Sequence, residues 1–152
     1  LLEEGIDTVV DRHRRLADAV RACVGRWSTA GALAFNATEP SSRSNAVTAI
    51  RVAAGIDPDA MRRLARDRYQ TALGAGIGDL EGIAFRIGHL GDLNEPMILG
   101  TLAATELALR RSSIAFGDGG IAAAIESLAL DDAGVGVVSA ASSRPPLGMT
   151  SS

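Results

Sequence analysis

No lysine occurs anywhere in the 152 residues; all 15 basic side chains are arginines. A reaction that runs through a lysine amine held as a Schiff base cannot be completed by this chain alone. Aromatic residues make up only 3% and the net charge is −3, which leaves neither base-stacking platforms nor a general attraction to nucleic acid or anionic membrane. Cys23 is the single cysteine, so no internal disulfide can form. Its place on an apolar helical face reads as a small buried hydrophobe rather than a reactive thiol. No metal site is expected, and His13 has no second metal-binding residue at matching spacing. No run is long and apolar enough to span a bilayer, the stretch Met97–Leu109 being interrupted by Thr101, Thr105 and Glu106. Glu3, Glu4 and Asp7 stand where a secretory signal would carry basic residues, so a soluble, cytoplasmic setting is expected.

What is present suits one compact domain. With 47% hydrophobic and 22% charged residues the chain can bury a core. The domain is expected over 1–130, followed from 131 to 152 by a frayed or disordered tail rich in Gly, Ser, Ala and Pro.

Residues 3–24 carry apolar side chains at three- and four-residue steps (Ile6, Val9, Leu16, Val20 and Val24 among them) and read as a helix, with Gly25 placed to end it. His13 lies on or near that stripe and reads as a structural histidine. Trp27 and the run 30–35 could form one short strand, and 36–45 a polar loop. The β-branched run 46–52 is of strand length, with Thr48 and Ile50 on one face and Val47 and Arg51 on the other. Asp57 and Pro58 have the character of an N-cap and a first helical residue. The helix they open lines Met61, Leu64, Ala65 and Tyr69 inward; Arg63 and Asp67 are at a favourable four-residue spacing. Its arginine-rich outer face reads as solvated rather than as a nucleic-acid surface.

The run 71–78, TALGAGIG, places three glycines at alternate positions. It lacks the terminal Gly-Lys-Ser/Thr of a P-loop and does not open a helix, so neither nucleotide fingerprint applies. Residues 84–88 then alternate as a strand, with Phe85 and Ile87 on one face and Arg86 on the other between Ala84 and Gly88. A guanidinium with such small neighbours has room for a flat anion, and its planar fork matches a carboxylate. The alternative is an ion pair with a carboxylate of the same chain. Asn94, Glu95 and Pro96 start a helix that closes on Arg110 and Arg111, and Asp92 is expected to hold the preceding turn by side-chain-to-backbone bonds. A break at 117–120 and a last helix over 121–130 complete the order. Helix, strand, strand, helix, strand, strand, helix, helix reads as an α+β two-layer sandwich: a small, mostly antiparallel sheet with helices on one face.

The run FRIGHLGDLNE at 85–95, with ALGAGIGDLEGIA before it, resembles the C-terminal part of class V, pyridoxal-phosphate-dependent aminotransferases. The serine–glyoxylate and alanine–glyoxylate aminotransferases are the most similar, and the resemblance runs from about Leu2 to Leu128. It implies the small C-terminal domain of a fold-type I enzyme, with Arg86 binding the α-carboxylate of the amino-acid or oxo-acid substrate. Gly76 and Gly78 belong to the segment that lines the site in that family. Asp79 departs from the lysine often found at its position. His89 is a candidate contact to substrate or cofactor phosphate, or else orients its loop.

The same resemblance implies pyridoxal phosphate held by a lysine of a large N-terminal domain, absent here, and a homodimeric full-length enzyme. The chain contains no catalytic residue of its own and is expected to be inactive alone. With the missing lysine, a start without Met in a helical segment leads to the expectation of a part of a larger protein. Other readings remain: a domain of another class V enzyme such as a cysteine desulfurase or lyase, a non-catalytic small-anion-binding module, or a structural remnant.

Overall fold

A computed structural model describes residues 5–131. Its elements are α1 (Ile6–Trp27), β1 (Leu33–Phe35), β2 (Val47–Val52), α2 (Pro58–Tyr69), β3 (Gly74–Ala75), β4 (Ala84–Gly88), α3 (Glu95–Arg111) and α4 (Gly120–Asp131). The four strands form one open antiparallel sheet in the order β1-β2-β4-β3. The α+β sandwich expected from the element order is the one observed. The tail expected from 131 begins inside α4, and 132–152 lie outside the described residues, as do 1–4.

Strand alternation sorts the sheet into two faces. Ile50 pairs with Phe85 and Thr48 with Ile87, and all four side chains are buried on the helix side. Ile50, Phe85 and Ile87 pack into one core with Leu16, Val20 and Trp27 from α1, Met61 from α2, and Ile98 and Leu102 from α3. The opposite face carries Ala49 and Arg51 from β2 and Arg86 from β4, and the four helices leave it open. Asp57 caps α2 by accepting from the Asp59 and Ala60 N–H groups, with Pro58 at the first position. Asn94 caps α3 by accepting from Met97 N–H.

Three local expectations are corrected. Gly25 does not end the first helix, and Trp27 is not in a strand: α1 runs through Gly25 and ends at Trp27, and a 3-10 turn over Ser28–Ala30 then leads to a left-handed Gly31 at φ 83°. An interior glycine costs about 1 kcal/mol. Burying a large apolar side chain such as the fully enclosed Trp27 returns more, on the order of 1.5–3 kcal/mol. Arg63 approaches the capping Asp57 at 3.7 Å and attracts Asp67 through space, while the bonded partner of Asp67 is Arg66 at 2.7 Å. Asp92 makes no backbone bond: its exposed carboxylate stands 4.0 Å from Arg12. The turn after β4 is held instead by Gly91, at φ 101°, and by His13. His13 Nε2 lies 3.2 Å from the Gly91 N–H, from which it accepts when that nitrogen is unprotonated, and 3.1 Å from the Gly91 carbonyl.

Candidate functional site

Arg86 stands in the middle of β4 on the open face, half-buried. Its cross-strand neighbours are Ala49 on β2 and Gly74 on β3. Ala84 and Gly88, two residues away along its own strand, are small as well, while Val47 and Arg51 of β2 stand diagonally across on the same face. The stem lies over Gly74: a Cβ built on that glycine would sit 3.1 Å from Arg86 Cβ, 3.3 Å from Nε and 3.5 Å from Nη2. Nε donates to the Ala75 carbonyl at 2.7 Å. Among the described residues no carboxylate pairs with Arg86. With Nε engaged, the two Nη groups at the end of the fork are the donors left for an incoming carboxylate.

The other sequence candidates sit differently. Gly76 follows β3 on the arginine face, where its N–H donates to the Ala84 carbonyl at 3.1 Å. A Cβ there would overlap the Leu80 carbonyl, because the turn Gly78–Leu80 folds back over this end of the face and Ala84 is fully enclosed. Gly78 opens that turn at φ 60°, with free space around it. Both glycines therefore shape the chain beside Arg86 and bring no functional group of their own.

His89 continues the strand alternation onto the helix side, away from Arg86, and is fully buried. Its Nδ1 lies 2.9 Å from the Asn45 carbonyl, which only accepts, so Nδ1 carries the proton. Nε2 then accepts from the Thr48 hydroxyl at 3.0 Å. Burial holds this imidazole below its ordinary pKa, against the opposing pull of the Asn45 bond. Both nitrogens are occupied within the chain. Asp79, at the position where the resemblance often has lysine, is exposed.

Gly74, Ala75 and Ala49 do not stand out in the sequence. The available signal is the alternation of 71–78: glycines two residues apart on a strand share a face, and that face proves to be the one bearing Arg86. Beside this row, a cleft of about 180 Å³ lies between the loop 36–45 and β2. There Arg43 stacks on Phe35 at 3.8 Å and bonds the Ala37 and Thr38 carbonyls. Among the described residues no group of three His, Cys, Asp or Glu side chains could hold a metal ion, and no helix is long and apolar enough to cross a membrane.

The same fold occurs in solved aminotransferases. Pyridoxamine–pyruvate aminotransferase from Mesorhizobium loti superposes with TM-score 0.76 at 33% identity, covering 86% of this chain and 33% of that one. Ureidoglycine–glyoxylate aminotransferase from Bacillus subtilis gives 0.74 at 26% identity, over 83% and 32%. In sequence, the serine–glyoxylate aminotransferase of Hyphomicrobium methylovorum is 46% identical over 114 residues, 75% of this chain and 27% of the relative. The L-aspartate–glyoxylate aminotransferase of Paracoccus denitrificans is 39% identical over 109 residues, 72% and 26%. No protein-family model matches the chain. This chain belongs to the class V aminotransferases, of which it is a C-terminal part. It spans between a quarter and a third of the length of these relatives.

Proposed function

We propose that this chain is the substrate-carboxylate-binding part of a pyridoxal-phosphate-dependent aminotransferase that moves an amino group from an amino acid such as serine or alanine to glyoxylate. Arg86 is the residue that grips the carboxylate. The observation that carries this reading is a guanidinium on an open sheet face, tied at Nε to a backbone carbonyl and without a carboxylate partner among the described residues. The activities named for the relatives agree on transamination of small carboxylic acids, most of them with glyoxylate, while their amino donors differ.

The chain's own residues do not fit the attachment of pyridoxal phosphate, since it has no lysine. The cofactor belongs to the larger, N-terminal part of the enzyme and supplies its chemistry there. What this chain contributes is binding and orientation. Two parallel hydrogen bonds from the Nη groups fix the carboxylate plane and with it the direction of the substrate's Cα–H bond. By the same family reading the full-length enzyme is a homodimer, and the isolated chain is inactive.

The test is Arg86→Ala in the full-length protein. Losing a charge-assisted pair costs about 1.5–3 kcal/mol, so kcat/KM for carboxylate substrates should fall by roughly one to two orders of magnitude. An unchanged kcat/KM in a folded variant would refute the assignment.

A further inference from the structure

Arginine side chains on an exposed sheet face ordinarily sample many rotamers, and a long side chain held in one geometry gives up freedom that something must offset. Arg86 is held at two places. Its Nε–H is bound by the Ala75 carbonyl at 2.7 Å, and its stem rests on Gly74, directly across the β3–β4 ladder. Gly74 is not needed for its backbone angles, because its φ lies outside the left-handed region. What it supplies is the missing side chain. Its would-be Cβ is 3.1 Å from Arg86 Cβ and 3.3 Å from Nε, tighter than ordinary van der Waals contact.

We infer that Gly74 is a positioning residue for Arg86: by leaving the space over β3 empty, it lets the side chain lie across the strand and reach the Ala75 carbonyl, so that the fork presents both Nη groups end-on to a carboxylate. This rests on the carboxylate-binding reading of Arg86 and extends it to the residue that sets the fork's direction. A methyl group at position 74 pushes on Cβ and Nε together. The contact at Cβ, whose place the backbone fixes, is relieved by a shift of the strands of a few tenths of an ångström, while the contact at Nε turns the arginine off the strand. The Nε–carbonyl bond is then lost, and the guanidinium becomes one of several rotamers rather than a fixed fork.

The experiment is a double-mutant cycle in the full-length enzyme with Gly74→Ala, Arg86→Ala and the pair. The expected result is a rise of about tenfold in KM for the carboxylate substrate in Gly74→Ala with kcat changed less than about threefold, the split that lost binding rather than lost chemistry gives. In the Arg86→Ala background the same glycine substitution should change KM less than about twofold. An equal rise in both backgrounds overturns the inference and makes Gly74 a general strand residue. No rise in either, while Arg86→Ala is impaired, overturns it too but leaves Arg86 as the carboxylate ligand. If Arg86→Ala itself is unimpaired, it is the carboxylate-binding reading that fails. Should Gly74→Ala melt too low to assay, the cycle is read by thermal melting. The loss caused by the alanine should then shrink clearly when Arg86 is truncated, and an identical loss in both backgrounds overturns the inference.

Discussion

The Thr48 hydroxyl donates to Nε2 of His89 across 3.0 Å, which ties β2 to the residue that follows β4 on the buried side of the sheet. With Nδ1–H on the Asn45 carbonyl, the ring is neutral and both its nitrogens are satisfied. Protonation would place a charge in an enclosed site and turn Nε2 into a donor facing a hydroxyl that now donates to it. The folded-state pKa is therefore lowered, chiefly by burial, below the unfolded value of about 6.5. In that window the unfolded chain binds the extra proton, so stability rises with pH, is complete above about 6.5, and is lost as pH falls below it, by at most about 1.4 kcal/mol per pH unit. Denaturant unfolding at pH 7.5 and 5.5 should show this loss, and His89→Gln should flatten it. Thr48→Val should cost about 1–3 kcal/mol by leaving Nε2 without a donor.

Gly120 at the start of α4 is enclosed on three sides. A Cβ there would lie 2.5 Å from Trp27 Nε1, 2.9 Å from Cys23 Sγ and 2.9 Å from Glu106 Oε1. Trp27 itself donates to Glu106 at 2.8 Å. Gly→Ala within a helix ordinarily gains up to about 1 kcal/mol, but overpacking against rigid neighbours costs about 1–3 kcal/mol. Because Trp27 and Cys23 are fully buried, the second effect wins. Gly120→Ala should lower stability by about 1–2 kcal/mol in chemical denaturation, whereas Gly100→Ala, with free space around its α3 position, should raise it.

Cys23 is fully enclosed on α1, and burial together with the Glu106 carboxylate pushes its thiol well above the ordinary range. The folded protein should resist alkylation by iodoacetamide at pH 8, and modification should track global unfolding by denaturant. Rapid labelling of the native state would show that the α1–α4 contact opens locally.

Much of this is legible in the residues. The strand 84–88, the caps at Asp57 and Asn94, and the two faces of 46–52 follow from alternation and from short side chains that accept backbone N–H bonds, both of which are local. At Gly25 the local stop signal is overruled by Trp27, whose burial depends on α4 and the sheet. The glycines at 117 and 120 read only as a break. In three dimensions they admit the chain against α1, where a Cβ at 117 would overlap Thr29 Oγ1 and the Arg26 carbonyl. At the site, Arg86 is visible from its strand and its motif. Gly74 is not, since its partnership with Arg86 exists only once β3 and β4 are in register.

The most direct measurement compares an amino-acid donor with its carboxylate-free amine, alanine against ethylamine, in the full-length enzyme with and without Arg86. If Arg86 binds the carboxylate, the wild type should prefer alanine strongly in kcat/KM. Arg86→Ala should then lose roughly one to two orders of magnitude of that preference, while turnover of ethylamine stays within a few-fold. A variant that keeps the full preference for alanine would contradict the account and place the carboxylate site on other residues.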